Sequence, residues 1–588
     1  IKFVGPVHNS TLIHSTTSTI AVKSNSTITA DTLNKSTVLK STGATTISGS
    51  ILSISNLTNG SHAIQSVSTT VETNSTISAG NLDGSWVIKS TSDTIVTGST
   101  IKADTLINNS YVIEGDTTTI DTNSIISAGN LDGSRVIKST IDTIVTGSTI
   151  KADTLINKSY IFGYTDTLTT TPSLDITQSS LNVGTINNSY ITSKHTEVNI
   201  NGSTIDIDTI NWVTTASDTD ESIIQAETIT IDTNNKTDLP PPVVVQSTMN
   251  IGSCLNTGSG TLIIMNATGP NTLVLQNIVK NLGNIVKTTV YQSAGDIIIK
   301  EVNILVNTLA NNSILFDSAK NITMTNELVN INSIYNSIGI HATGTFTMKG
   351  GSYIIDKFGD VSTAIKAGVV NITEFSDILI TYARMKFLCQ YTIGILTTHL
   401  SVDCPSSIVI KNIPFCTTFF ISIAILNNIA KLPTLEYITN AIYLEDQVLL
   451  ENRGYINISS SRCNACIQFN GIVDNTGEID INCNCIPNFN KEANTPIYCC
   501  YTLPKLCGTN LNNTNIVSST CNDTCNDTCN DTCNDICNDN CDNHCNGTNI
   551  TNGKIIIIDT NNQPTTNNNV PQDNNKNIIY VNGPQDNN

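Results

Sequence analysis

Residues 81–111, NLDGSWVIKSTSDTIVTGSTIKADTLINNSY, recur 49 residues later at 130–160 with changes only at Trp86/Arg135, Ser92/Ile141 and Asn109/Lys158. So faithful a copy restricts the chain to architectures that stack one unit on the next, because each unit must offer its neighbour the same contact surface. The true period is half as long. Phe3, Ile28, Leu52, Ile77, Ile101, Ile126 and Ile150 follow one another at alternating intervals of 25 and 24 residues. Further columns keep step: Ala30, Ile54, Ala79, Ala103, Ala128 and Ala152, then Leu33, Leu57, Leu82, Leu106, Leu131 and Leu155. Val38, Ile64, Val87, Val112, Val136 and Ile161 make a third column, and Ile47, Ile95, Ile120, Ile144 and Leu168 a fourth.

Within each unit the opener and the small residue two places on alternate with Ser, Thr or Lys, a period of two that specifies a strand. Thr, Ile and Val dominate, and β-branched residues suit a pleated, half-buried surface. Asn59-Gly60, Asp83-Gly84 and Asp132-Gly133 sit between stretches, where corners need residues that tolerate positive φ. Three strands and three corners in about 24.5 residues predict an all-β parallel β-helix (β-solenoid), rising about 4.8 Å per coil. The Ala column suits a narrow interior.

Four regions follow from composition. Residues 1–238 read as a Thr/Ser-rich β-solenoid, with a slip at Thr171-Pro172 and a break at Asp238–Pro242, whose prolines cannot supply ladder donors. Residues 243–400 read as a second β-solenoid block, with a sandwich or barrel as the competing arrangement. Residues 401–507 are a Cys-rich β module or cap, and residues 508–588 a Cys/Asn-rich low-complexity tail that cannot bury a core.

Charge and cysteine content narrow the function. Net charge is −19 and only 13% of the 588 residues are charged, with no Lys/Arg-rich run, which argues against nucleic-acid binding. The longest apolar run, Phe419–Leu426, is far shorter than the roughly 20 residues of a membrane-spanning helix. The chain starts at Ile1 rather than Met, consistent with removal of a leader. Eighteen cysteines, concentrated from Cys389 onward, point to an oxidising environment.

In the tail, Cys521, Cys525, Cys529, Cys533, Cys537, Cys541 and Cys545 recur at every fourth position, which places their sulfurs on one face of a strand. An odd number leaves at least one sulfur for another partner, so these are candidate cross-linking cysteines. Thiolate metal binding with Asp535, Asp539 or His544 is the alternative, but its three-residue gaps depart from the usual zinc spacing. Cys463, Cys466, Cys483, Cys485, Cys499, Cys500 and Cys507 are candidate structural disulfide cysteines, and a four-sulfur zinc site at Cys463, Cys466, Cys483 and Cys485 is the alternative. Asp206 and Asp208 share one strand face, followed by Asp218, Asp220 and Glu221; acid groups so arranged fit polysaccharide cleavage or Ca²⁺, but equally a solvated acidic rim. The seven histidines form no Ser/His/Asp or zinc-hydrolase pattern. Sequons such as those at Asn25, Asn74, Asn157, Asn321 and Asn522 permit surface glycosylation. No catalytic residue, cofactor or metal is expected.

The S-T-I-x-A and T-I-x-T phrases of the coils resemble those of right-handed parallel β-helix proteins of cell and virion surfaces, including adhesins and fibres. With the Ile/Asn/Thr bias and the Cys-rich tail, the chain loosely resembles surface or fibre proteins of giant DNA viruses. The resemblance implies a non-enzymatic structural or attachment role on an extracellular or virion surface. The expected partners are further copies of the chain, joined through ends, edges or cysteines, and host-surface glycans. A carbohydrate-binding or polysaccharide-cleaving β-helix is the alternative.

Overall fold

The apolar columns close into three parallel ladders, and each coil gives one strand to each. A computed structural model describes residues 1–163, 172–192, 195–213, 221–232, 234–235, 244–245, 247–257, 262–270, 272–359, 361–382, 392–413, 439–460, 467–468, 471–475, 478–483 and 497–498. The chain divides into Ile1–Thr520 and Cys521–Asn588, and the second unit lies wholly outside the described residues. Every regular element among the described residues is a strand, so no helix there is long and apolar enough to cross a membrane.

The first ladder stacks Lys2–His8, Thr27–Asn34, Ile51–Thr58, Thr76–Asp83 and Thr100–Ile107, all parallel. From Thr27–Asn34 onward they are in register. Phe3 lies against Ala30 rather than Ile28, with a shift before Pro6, so it is not the opener of the first coil. The second stacks Thr11–Ser15, Thr37–Ser41, His62–Ser66 and Trp86–Ser90. The third stacks Ile20–Lys23, Ala44–Ser48, Ser68–Glu72 and Thr94–Thr97. Register brings like residue onto like: Ile77 lies over Leu52 and under Ile101, and Ala79 over Ile54 and under Ala103. Ile77, Ala79, Leu82, Val87, Ile88 and Val96 of one coil are at most 3% exposed. Burying each of the larger ones contributes about 1.5–3 kcal/mol.

The ladder crosses the prolines at 240–242. Thr204–Trp212 pairs in parallel with Ser247–Asn256, which pairs in turn with Ile278–Val286. The first ladder then runs through Asn303–Ala310 to Ser407–Ile413, Tyr455–Ser460 and Glu478–Cys483. The competing sandwich or barrel for 243–400 is therefore excluded.

The alternation of 24 and 25 has a local cause. Coils that open at Ile77 and Ile126 turn two corners on one left-handed residue each, Gly84 and Gly98, then Gly133 and Gly147. The coil opening at Ile101 uses two at each corner, Asn108-Asn109 and Thr122-Asn123. At the third corner the difference reverses. Three residues separate Ser90 from Thr94 and Ser139 from Thr143, but two separate Gly115 from Thr118. One residue gained at each of two corners and one lost at the third make the longer coil 25. The copied 49-residue unit is thus the smallest segment that preserves corner alternation.

Two serine spines tie the corners together. At one, Ser50 N–H donates to Ser75 Oγ, Ser75 to Ser99, Ser99 to Ser124, Ser124 to Ser148, Ser148 to Ser179 and Ser179 to Ser203. At the other, Ser36 donates to Ser61, Ser61 to Ser85, Ser85 to Ser110, Ser110 to Ser134 and Ser134 to Ser159. These serines are buried, so each hydroxyl satisfies a corner amide that turns away from its ladder. The columns were overlooked in an apolar reading of the repeat, although serine recurs there at the same 24 and 25 spacing.

The fourth sequence column needs correction. Ile47 and Ile120 are buried, but Ile95 and Ile144 are 40% and 36% exposed. Their inward counterparts are Val96 and Val145, which like Ile47 and Ile120 lie nineteen residues after their openers, whereas Ile95 and Ile144 lie eighteen after; Leu168 lies outside the described residues.

Candidate functional site

The second ladder carries an outward column that the repeat only partly announces. Register superposes His62, Trp86, Tyr111, Arg135, Tyr160 and Tyr190. His62 stacks on Trp86 with ring centroids 4.9 Å apart, and Trp86 on Tyr111 at 5.6 Å. The Arg135 guanidinium sits between Tyr111 and Tyr160, 5.6 and 5.1 Å from their ring centres. Tyr160 stacks on Tyr190 at 4.8 Å. Parallel in-register strands place identical positions one coil spacing apart, which leaves flat side chains little choice but to stack. Gly163 belongs to the arrangement, since a Cβ there would lie 2.3 Å from Arg135 Cδ.

A charged row runs beside it. Lys138 Nζ is 2.7 Å from Glu114, Lys89 is 3.8 Å from the same carboxylate, and Lys89 also lies over Trp86 at 4.2 Å. Burial, then the Lys89 ammonium, push the His62 imidazole down to about 4, so it is neutral where it stacks. The ring faces are occupied by one another, and Tyr111 is only 7% exposed. The column therefore presents edges and cations rather than open platforms for a sugar ring. Trp86 and Arg135, which differ between the two copies, are half-buried in this column. Asn109 and Lys158, the other variable pair, are exposed left-handed corner residues.

The carboxylates separate. Asp206 and Asp208 point outward from Thr204–Trp212 on the first ladder, where Asp206 accepts a hydrogen bond from Asn250 Nδ2 at 2.7 Å. Glu221 opens a strand of the second ladder and accepts from Tyr190 Oη at 2.9 Å. Asp218 and Asp220 lie outside the described residues. Among the described residues no cluster of three or more His, Cys, Asp or Glu could hold a metal ion.

Of the candidate structural cysteines, Cys483 ends the strand Glu478–Cys483; Cys463, Cys466, Cys485, Cys499, Cys500 and Cys507 fall outside the described residues. So do all seven candidate cross-linking cysteines from Cys521 to Cys545. Cys254 is buried beside Thr288, 3.5 Å from its hydroxyl. Burial pushes its thiol up to about 12 against the smaller opposing effect of that hydrogen bond, so it makes a poor nucleophile.

Two ionisable groups occupy interior positions. Lys280 takes the opener column between Met249 and Ile304, fully buried, with Nζ 4.4 Å from the Tyr291 ring centre. Glu327 sits in the serine-spine column, 2% exposed, where burial pushes its carboxyl up to about 8. Neither belongs to a cluster that suggests chemistry.

No protein-family model, no curated protein and no solved structure matches the chain.

Proposed function

We propose that the chain is a non-enzymatic structural and attachment protein of an extracellular or virion surface, in the manner of the fibre and adhesin proteins its coils resemble. The observation that carries this reading is the uninterrupted first ladder from Lys2–His8 to Glu478–Cys483, whose copied coils are tied at their corners by serine spines. Repeating the corner alternation, spine and interior through the copied coils favours a scaffold over a single pocket. Its partners would be further copies of itself, linked through Cys521–Cys545. The polysaccharide-cleaving alternative has less support, because Asp206 and Asp208 lie on a different ladder from Glu221.

Electrophoresis of native material with and without reductant tests the assembly. A ladder of multimers that collapses on reduction, and is absent when the seven tail cysteines are changed to serine, supports it. Monomer in both lanes contradicts it.

A further inference from the structure

Midway along the strands of the first ladder the inward/outward alternation breaks, and there the outer surface holds a groove of about 600 Å³. Its origin is a column of residues at that break in alternation. Along the copied coils this column alternates: Gly80, Asp104, Gly129, Asp153, Gly184, Asp208. Then two glycines come in succession, Gly252 and Gly283. A Cβ at Gly283 would lie 1.7 Å from the Gly252 carbonyl, and one at Gly252 2.5 Å from that of Asp208. The backbones are packed so closely that no side chain fits, and the missing side chains leave a recess.

Amides line that recess. Asn250 donates to Asp206, and Asn281 Nδ2 to Asn250 Oδ1 at 3.0 Å. The column of Gly252 and Gly283 continues with Asn307 and Asn332, and Asn332 Nδ2 donates to Asn307 Oδ1 at 3.1 Å. Each amide has two donors and two acceptor lone pairs, so these ladders leave hydrogen-bonding capacity directed outward. Asn330 Oδ1, behind the same wall, is buried and has no hydrogen-bond partner among the described residues, so it adds nothing to the open surface. Between the amides Leu305 is 41% exposed. Asp356 contributes a carboxylate, and no Lys or Arg lines the groove.

We propose that this groove binds a neutral glycan chain lying along the coil axis. Sugar hydroxyls pair with the amide rows, whose spacing repeats with the coils, while Leu305 packs against the apolar face of a ring. The carboxylate of Asp356, with no lining cation, disfavours uronates and sulfated sugars. The proposal deepens the attachment half of the reading above and is independent of assembly.

Titration calorimetry of the full chain against maltohexaose, cellohexaose, chitohexaose and hexagalacturonate tests it. At least one neutral hexamer should bind, with hexagalacturonate at least about tenfold weaker, a difference of about 1.4 kcal/mol. Leu305→Ala and Asn281→Ala should each weaken binding by about tenfold. Asn182→Ala, in the Asn281 column but outside the groove, should leave it unchanged. No binding by any neutral hexamer, equal binding by hexagalacturonate, or indifference to both groove substitutions would overturn it. Disulfide multimers on the gel would be unaffected by any of these outcomes, so the two readings fail separately.

Discussion

Lys280 stands where neighbouring coils place Met249 and Ile304, with its amine fully buried. Burial lowers it from the ordinary 10.5 to about 7. Between those values the unfolded chain binds a proton that the folded chain does not, so stability rises with pH over that interval and is lowest below about 7, where the buried amine is charged. Lys280→Met, matching Met249, should remove this slope and stabilise the protein below pH 7 by on the order of 1–4 kcal/mol. Denaturant melts at pH 6 and pH 9 measure both effects; an unchanged slope would show that Lys280 does not carry it. Single residues of this kind were the least legible from sequence. Lys280 reads as one more polar residue in a strand until Tyr291 and its ladder neighbours are placed around it. Asp206 and Asp208, by contrast, were placed together on one strand face from sequence alone, and the structure puts both outward there.

A strand here is defined by its corners as much as by its alternation. The interior columns through Ala103, Leu106 and Val112 were readable because apolar residues repeat at fixed phase, and all three are buried. The spines were not, because serine in a Ser/Thr-rich chain looks like background. Yet Ser124 Oγ accepts the Ser99 amide while donating to the Val96 and Asp121 carbonyls. Ser124→Ala would strand a buried N–H, at a cost of about 1–3 kcal/mol. Thermal unfolding measures that loss. A substitution no more harmful than one at exposed Ser55→Ala would show that the spine does not hold the corners. The aromatic column was legible only through Trp86 and Arg135. Its other members, His62, Tyr111, Tyr160 and Tyr190, fall in register only after corner lengths are known.

Among the described residues from Lys2 to Cys483 the architecture follows a phase that survives insertions. The slip after Leu168 and the prolines at 240–242 interrupt the sequence pattern, but the ladders on either side pair in parallel. Beyond residue 243 the apolar residues are denser and corner glycines fewer, so no register could be read there, although the coils are the same. The central claim is that one coil of 24 or 25 residues is the structural unit, and the 49-residue copy merely two of them. Deleting Ile101–Ile125 removes one coil and joins Thr100 to Ile126 in phase; deleting Ile101–Ile113 removes about half of one. Circular-dichroism melting of both variants beside the parent chain is the most direct test. The whole-coil deletion should melt cooperatively within about 8 °C of the parent, the shift expected for about 1 kcal/mol or less in a small cooperative unit, and the half-coil deletion should lose that cooperative transition. Equal damage from both deletions would contradict the account.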